Sequence, residues 1–455
     1  RAQQQALQQL QALAEQRSDL SEQARVGNAW GDYYRNLSDY PAALAALQQS
    51  RMQAQQAHDL AAEARSLTLW GQVLEHQGQY PESKTYYEQA LTIYRQLNYK
   101  RGEANNLSSL GNIYYYLGDK LTARTYALEA LQTRRAIKDR VSEATNLNNL
   151  ASIASELNEP DTAHDYRQQA LQIARVIGDR AGEAFSLSTI GFDYWARGDY
   201  AAAQHYLQQG LRLYRMMGER RREASCLNTL GVVWREVGDN QNARSCFEQA
   251  LAIQLQTGSR SFVVAYTHLN LGLALLPTDP PAAHAAYQSA LTLARDLSNR
   301  GAEAFALSYL AGFYEHEHDW VAAHTHYEAA LAIRNELKAV APAIEDTTGL
   351  ARVALAQGRL AEARNHAETC LAHLATQGVE GIEFPIAVYL TCYDVLRATG
   401  ADGEARAVLA DAHALLLKRA DAISDAKLRE SMLQNVAANR RVVEEWEQVH
   451  DRMTG

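Results

Sequence analysis

At 455 residues the chain is longer than one hydrophobic core sustains, so either several domains or a repeating array is expected. Its 8 prolines and 7 phenylalanines, set against 24 tyrosines and abundant Ala, Leu and Gln, favour helix over sheet, and 47% apolar residues exclude a disordered chain. A net charge of −9 argues against nucleic acid or anionic membrane as a partner.

No apolar run is long enough to span a bilayer, and the start, RAQQQALQQLQALAEQ, has no apolar signal core. A cytoplasmic location is expected, with Cys226, Cys246, Cys370 and Cys392 as free thiols. The first segment carries Ala6, Leu7, Leu10, Leu13 and Ala14 on one helical face. In frame with the rest of the chain, residues 1–20 read as the second helix of a truncated repeat. An array or domain upstream of Arg1 is therefore expected.

From residue 21 to 420 the sequence repeats every 40 residues. Small residues recur at Gly31, Gly71, Gly111, Ala151, Gly191, Gly231, Gly272, Ala311 and Ala351. Gly272 stands one position late, as an insertion near Ser261 and a deletion near Pro277 would produce. The residue three further on is often aromatic, as in Tyr34, Tyr114, Tyr194, Trp234 and Tyr314. A later pair recurs as Ala90–Leu91, Ala130–Leu131, Ala170–Leu171 and Ala250–Leu251. Each repeat reads as helix A, a turn such as Gly118–Asp119 or Gly238–Asp239, and helix B. The last stretch, 421–455, leaves the repeat but stays amphipathic through Leu428, Met432, Val436, Val442 and Trp446, which suggests capping helices.

The third repeat places Leu107, Leu110, Gly111, Tyr114, Ala123, Tyr126 and Ala130 in a pattern that resembles the tetratricopeptide repeat. The sixth does the same with Leu227, Leu230, Gly231, Trp234, Ala243, Phe247 and Ala250. The longer repeat is similar to those of kinesin light chains and of spindle-orientation adaptors. It is also similar to the repeat arms of bacterial regulators that carry a nucleotide-switch ATPase domain. The resemblance implies an all-α fold: a right-handed α-solenoid of about ten tandem helix–turn–helix units with a C-terminal capping segment.

On a helical wheel, helix A turns a second face away from its core columns. In tetratricopeptide arrays that face lines the concave groove. Its residues here are small and polar: Asn105, Ser108, Asn112, Asn148, Asn149, Ser188, Asn228 and Asn270. Asn, Ser and Thr are mediocre helix formers, so their recurrence needs a reason. Either they offer a ladder of donors and acceptors to a ligand, or neighbouring A helices pack too closely for anything larger. Tyr115, Phe192, Trp195 and Arg235 complete the candidate binding set; Tyr116, Phe185, Tyr266, Leu269, Leu273, Leu276, Phe305 and Tyr309 fall on the same face, with Arg25, Arg35, Arg65, Glu236 and Arg352 as its sparse charges.

Motifs of catalysis are missing: no GxxxxGK[ST], HExxH or GxSxG occurs. The string Glu315-His316-Glu317-His318-Asp319, with His324 and His326, reads as a solvated turn, because the last two point to opposite sides of a helix. No catalytic residue, metal or cofactor is expected. The reading is a non-catalytic module, the sensor or scaffold arm of a larger bacterial signalling protein. It would hold a peptide, a protein or a small-molecule effector in its groove. The alternative is a free-standing adaptor that joins two proteins.

Overall fold

The computed structural model describes residues 2–454, with side chains from 3 to 449. Among these residues every regular element is a helix. After α1 (Ala2–Gln16) come ten A–B pairs. The first five are α2 (Leu20–Asn36) with α3 (Tyr40–Gln56), α4 (Leu60–His76) with α5 (Tyr80–Gln96), α6 (Lys100–Tyr116) with α7 (Lys120–Ala136), α8 (Arg140–Glu156) with α9 (Pro160–Ile177), and α10 (Arg180–Ala196) with α11 (Tyr200–Met217). The second five are α12 (Arg220–Glu236) with α13 (Asn240–Gln256), α14 (Phe262–Leu275) with α15 (Pro280–Asp296), α16 (Arg300–His316) with α17 (Trp320–Glu336), α18 (Val340–Ala356) with α19 (Leu360–Gln377), and α20 (Pro385–Ala398) with α21 (Asp402–Asp421). The chain ends in α22 (Ala426–Asn435) and α23 (Ala437–Thr454).

The turns explain the regular helix length. A residue with left-handed backbone recurs in steps of twenty, among them Ser38, His58, Gly78, Asn98, Gly118, Lys138 and Asn158. It ends one helix, and the next residue starts another. At Gly118 the amide donates to Tyr115 O at 3.0 Å, and that of Asp119 to Tyr114 O at 2.9 Å. The Asp119 carboxylate then accepts from the Thr122 amide at 3.1 Å and caps α7. The step fails near residue 278 (where the spacing of small residues also slips) and again after Gly378, where the next positions are Gly381 and Gly400; α14 and α20, the A helices there, are shortened to 14 residues.

In several pairs the small residue of helix A is dictated by a large one on helix B, though Gly111 faces only Ala123 and Ala127. A Cβ on Gly231 would lie 2.6 Å from the Phe247 ring, and one on Gly272 2.3 Å from Tyr287. Between pairs, a buried carboxylate of helix A receives two cations. Glu143, 2% exposed, accepts from Arg135 at 2.9 Å and Arg140 at 2.7 Å. Glu223 does the same with Arg215 at 3.1 Å and Arg220 at 2.6 Å.

The chain forms two compact bodies, one up to Ser186 and one from Leu187 onward. In the first, successive helix pairs pack only on their neighbours. In the second, α23 packs on α20 and α21: Arg441 grips Asp394 at 2.9 Å, Tyr393 donates to Glu445 at 2.8 Å, and His413 stacks on Trp446 at 4.6 Å. The segment around α22 reaches instead to the turns after α10 and α12. Ser431 donates to Val237 O at 2.6 Å, Ser424 to Asp199 at 3.0 Å, and Arg419 pairs with Glu236 at 3.4 Å. The second body thus closes on itself, a contact that the repeat pattern does not announce.

Candidate ligand-binding groove

The polar column of helix A bonds mostly to a second polar column, Asn106, Asn146 and Ser186, on the next A helix. In the first body Thr68 donates to Asn106 at 3.2 Å, Ser108 to Asn146 at 2.6 Å and Asn148 to Ser186 at 3.4 Å, each 38 residues on. Ser108 also accepts from Arg134 at 3.0 Å, and the same guanidinium lies 3.5 Å from Asn105. Asn149 donates to Asn112 at 3.2 Å, and the Tyr115 hydroxyl reaches Glu156 at 3.4 Å. Asn148 is only 8% exposed, Ser108, Asn112, Tyr115 and Asn149 are half-buried, and Asn105 is exposed. Apart from the Arg134 contacts, which come from helix B of the same pair, these bonds run from one A helix to the next.

In the second body Ser188 faces the Cys226 thiol at 3.9 Å, and Asn228 keeps an acceptor without a hydrogen-bond partner. Phe192 is 48% exposed and meets the Trp195 ring at 5.1 Å. Trp195, Arg235 and Asn270 line one cavity of about 750 Å³. Arg235 donates to Asn270 at 3.1 Å, to Glu236 at 3.2 Å and to Glu383 at 3.0 Å. Burial alone would lower its guanidinium; Glu383 and Glu236 outweigh that and raise it. The hydroxyl of Tyr309 also donates to Glu383, at 2.6 Å. Glu383 lies in the connection before α20, so that connection is pinned to α12 and α16.

Beyond Phe305, Tyr309 and Glu345, which line both spaces, lies a second cavity of about 440 Å³. Leu273, Leu276, Phe384 and Val388 give it apolar walls, and Arg334, Arg352 and Arg441 reach its edge. Each guanidinium has a carboxylate: Arg334 has Asp346 at 3.6 Å, Arg352 has Glu315 at 3.0 Å, and Arg441 has Asp394. Arg334 also lies 3.8 Å from the centre of the Phe305 ring. Burial pushes the Glu345 carboxyl up to about 7 and that of Asp346 up to about 6.

The wheel brings Leu273, Leu276, Phe305, Tyr309 and Arg352 to one face, and they line this cavity. It misses Tyr287, Arg334, Asp346 and Glu383. One of these stands out in its column: Asp346 takes the place of Asn106, Asn146 and Ser186, whereas Arg334 shares its column with the equally buried Arg134. Charge in a buried column is the available signal for Asp346. Glu383 lies outside the repeat and gives none. All four cysteines are buried and free, and Cys226 donates to Leu207 O at 3.3 Å. Among the described residues no three His, Cys, Asp or Glu side chains gather as metal ligands do, and no helix is long and apolar enough to cross a membrane.

The family model described as tetratricopeptide repeat matches residues 22–96, 61–136, 102–175, 142–216 and 222–296. Among solved structures, the apo form of the quorum sensor NprR from B. thuringiensis is similar at 14% identity, over 75% of this chain and 98% of that one, with a TM-score of 0.55. A signal transduction ATPase with numerous domains, with a tetratricopeptide repeat sensor, from Pyrococcus horikoshii is similar at 15% identity. That match covers 73% of this chain and 53% of that one, with a TM-score of 0.53. At such identities the likeness is one of fold. None of the curated proteins matches the chain.

Proposed function

The chain belongs to the tetratricopeptide-repeat family, and on that premise we propose that it is a binding module whose ligand sits in the groove of the body beginning at Leu187. The observation that carries this reading is the pair of cavities in that body, separated by Phe305, Tyr309 and Glu345. Ligand sites are concave, largely apolar and furnished with a few placed polar groups, and the smaller cavity has all three properties. The Glu383 connection and α23 form part of the boundary of the two cavities, so occupancy there acts on the closure of the whole body. That is what a sensor arm of a larger signalling protein needs: a ligand whose binding is felt at a distance. Two solved proteins of this fold are named a quorum sensor and a protein with a repeat sensor, and the present reading is the same use of the fold.

The test is native mass spectrometry of the whole chain after incubation with the peptide and small-molecule extract of its source organism. The wild-type chain should retain a defined added mass. Leu273→Arg, which sets a charge in the apolar wall, should lose it while melting at an unchanged temperature. Equal retention by both proteins would remove the groove as the binding site.

A further inference from the structure

We propose that the cavity between α15, α16, α18 and α20 takes a small uncharged organic molecule with a ring-shaped apolar body and an amide or hydroxyl group. The proposal rests on the groove reading above and adds to it the chemical class of the ligand.

Charge is the first argument. Arg334, Arg352 and Arg441 reach the cavity, but each already faces a carboxylate. An incoming anion would have to displace one of these partners, and an incoming cation would compete with a guanidinium already in place. At Arg334–Asp346, whose side chains are 4% and 1% exposed, either exchange strands a buried charge. Glu345 also faces the cavity, yet it accepts the Phe384 amide at 2.8 Å, and burial pushes its carboxyl up to about 7. It therefore adds only part of a charge near neutrality.

An unmet polar atom is the second argument. The Tyr287 side chain is 0% exposed, lines the cavity, and its hydroxyl has no hydrogen-bond partner in the protein. Arg334 and Asp346, 3% and 1% exposed, face each other through Nε and Oδ2 at 3.6 Å and so meet one another, which leaves the Tyr287 hydroxyl as the open group. Buried polar groups are nearly always bonded. Here one hydroxyl that can donate or accept opens on the cavity. A neutral amide or hydroxyl meets it in either role and brings no charge beside the ion pairs.

Size and walls are the third argument. Leu273, Leu276, Phe305, Tyr309, Phe384 and Val388 present mostly carbon. A volume of about 440 Å³ holds a ring system or a single large side chain rather than an extended peptide. Gly312 offers a way to close it. The atom nearest to a Cβ placed there is Tyr327 Oη at 3.7 Å, so a larger side chain enters open space instead of the helix packing.

The experiment titrates the whole chain by calorimetry with three probes that share an aromatic body: N-acetyl-phenylalaninamide, N-acetyl-phenylalanine and phenylalaninamide, which carry charges of zero, minus one and plus one. The neutral probe should bind about tenfold or more tightly than either charged one. Gly312→Leu should abolish that binding without lowering the melting temperature. Tyr287→Phe should weaken it about two- to tenfold. A charged probe that binds as well as the neutral one would overturn the ligand class while leaving the groove reading in place. Binding that survives Gly312→Leu would show that the probe lies elsewhere and overturn the assignment of the cavity. Absence of binding by all three would mean that water alone meets the Tyr287 hydroxyl, and the proposal would fall. Failure of the groove reading itself would show separately, as an added mass that Leu273→Arg still retains.

Discussion

Single residues carry most of what makes this fold regular. Gly231 is small because Phe247 lies where its Cβ would be, 2.6 Å away. Gly231→Leu should therefore cost about 1–3 kcal/mol or more from overpacking, read as a lower midpoint in urea. The turns hold the opposite opportunity. Lys138 sits at φ 57°, a conformation that costs a side-chain-bearing residue about 1–2 kcal/mol. Lys138→Gly should raise stability by up to about 1 kcal/mol, because glycine adopts that conformation freely but loses more entropy on folding. Thermal melts would check it, and a lowered melting temperature would refute it. Glu345 and Asp346 give a pH signature. Their ordinary values are 4.5 and 3.8, and burial raises them to about 7 and about 6. The folded state then binds protons that the unfolded state has released. Their contribution is fully present below about 4 and is lost as pH rises through about 7. Stability measured from about pH 5 to about pH 8 should fall with a slope that Glu345→Gln reduces. An unchanged slope would contradict the burial argument.

At the scale of helices, the small polar column shows what is legible and what is not. Its residue types and spacing are plain in the sequence, and so is the choice between binding and packing. The choice itself depends on which helix lies 38 residues on and how closely, and periodicity along one helix does not encode that. Ser108 illustrates this: it bonds Asn146 and Arg134, one on the neighbouring A helix and one on a B helix. Ser108→Ala should cost about 1–3 kcal/mol, since it leaves a buried guanidinium with one partner fewer. No loss in a urea titration would count against the packing role. The paired cations on Glu143 and Glu223 are equally periodic, yet they pass for solvated charge until the burial of the glutamates is known. Glu303 obeys the same rule: burial would raise its carboxyl, but hydrogen bonds from Arg295 and Arg300 prevail and hold it below its ordinary value. Its contribution is thus present above about 4.5 and lost in acid.

For the whole molecule, the repeat count and the helix boundaries come from punctuation that recurs every twenty residues, and there the sequence is sufficient. Closure of the second body is not legible. It joins residues far apart in the chain, such as Ser431 with Val237 and Glu383 with Arg235, and no local pattern specifies such pairs. The cavities exist because of that closure, which is why the wheel finds part of their lining and misses Glu383 and Tyr287. The central claim is that this closed groove is where the ligand binds. Hydrogen–deuterium exchange of the whole chain, with and without the peptide and small-molecule extract of the source organism, tests it most directly. Slowed exchange is expected in α16, α18, the connection before α20 and α23, with α2 to α7 unchanged. Slowing confined to α2 to α7, or none in either body, would contradict it.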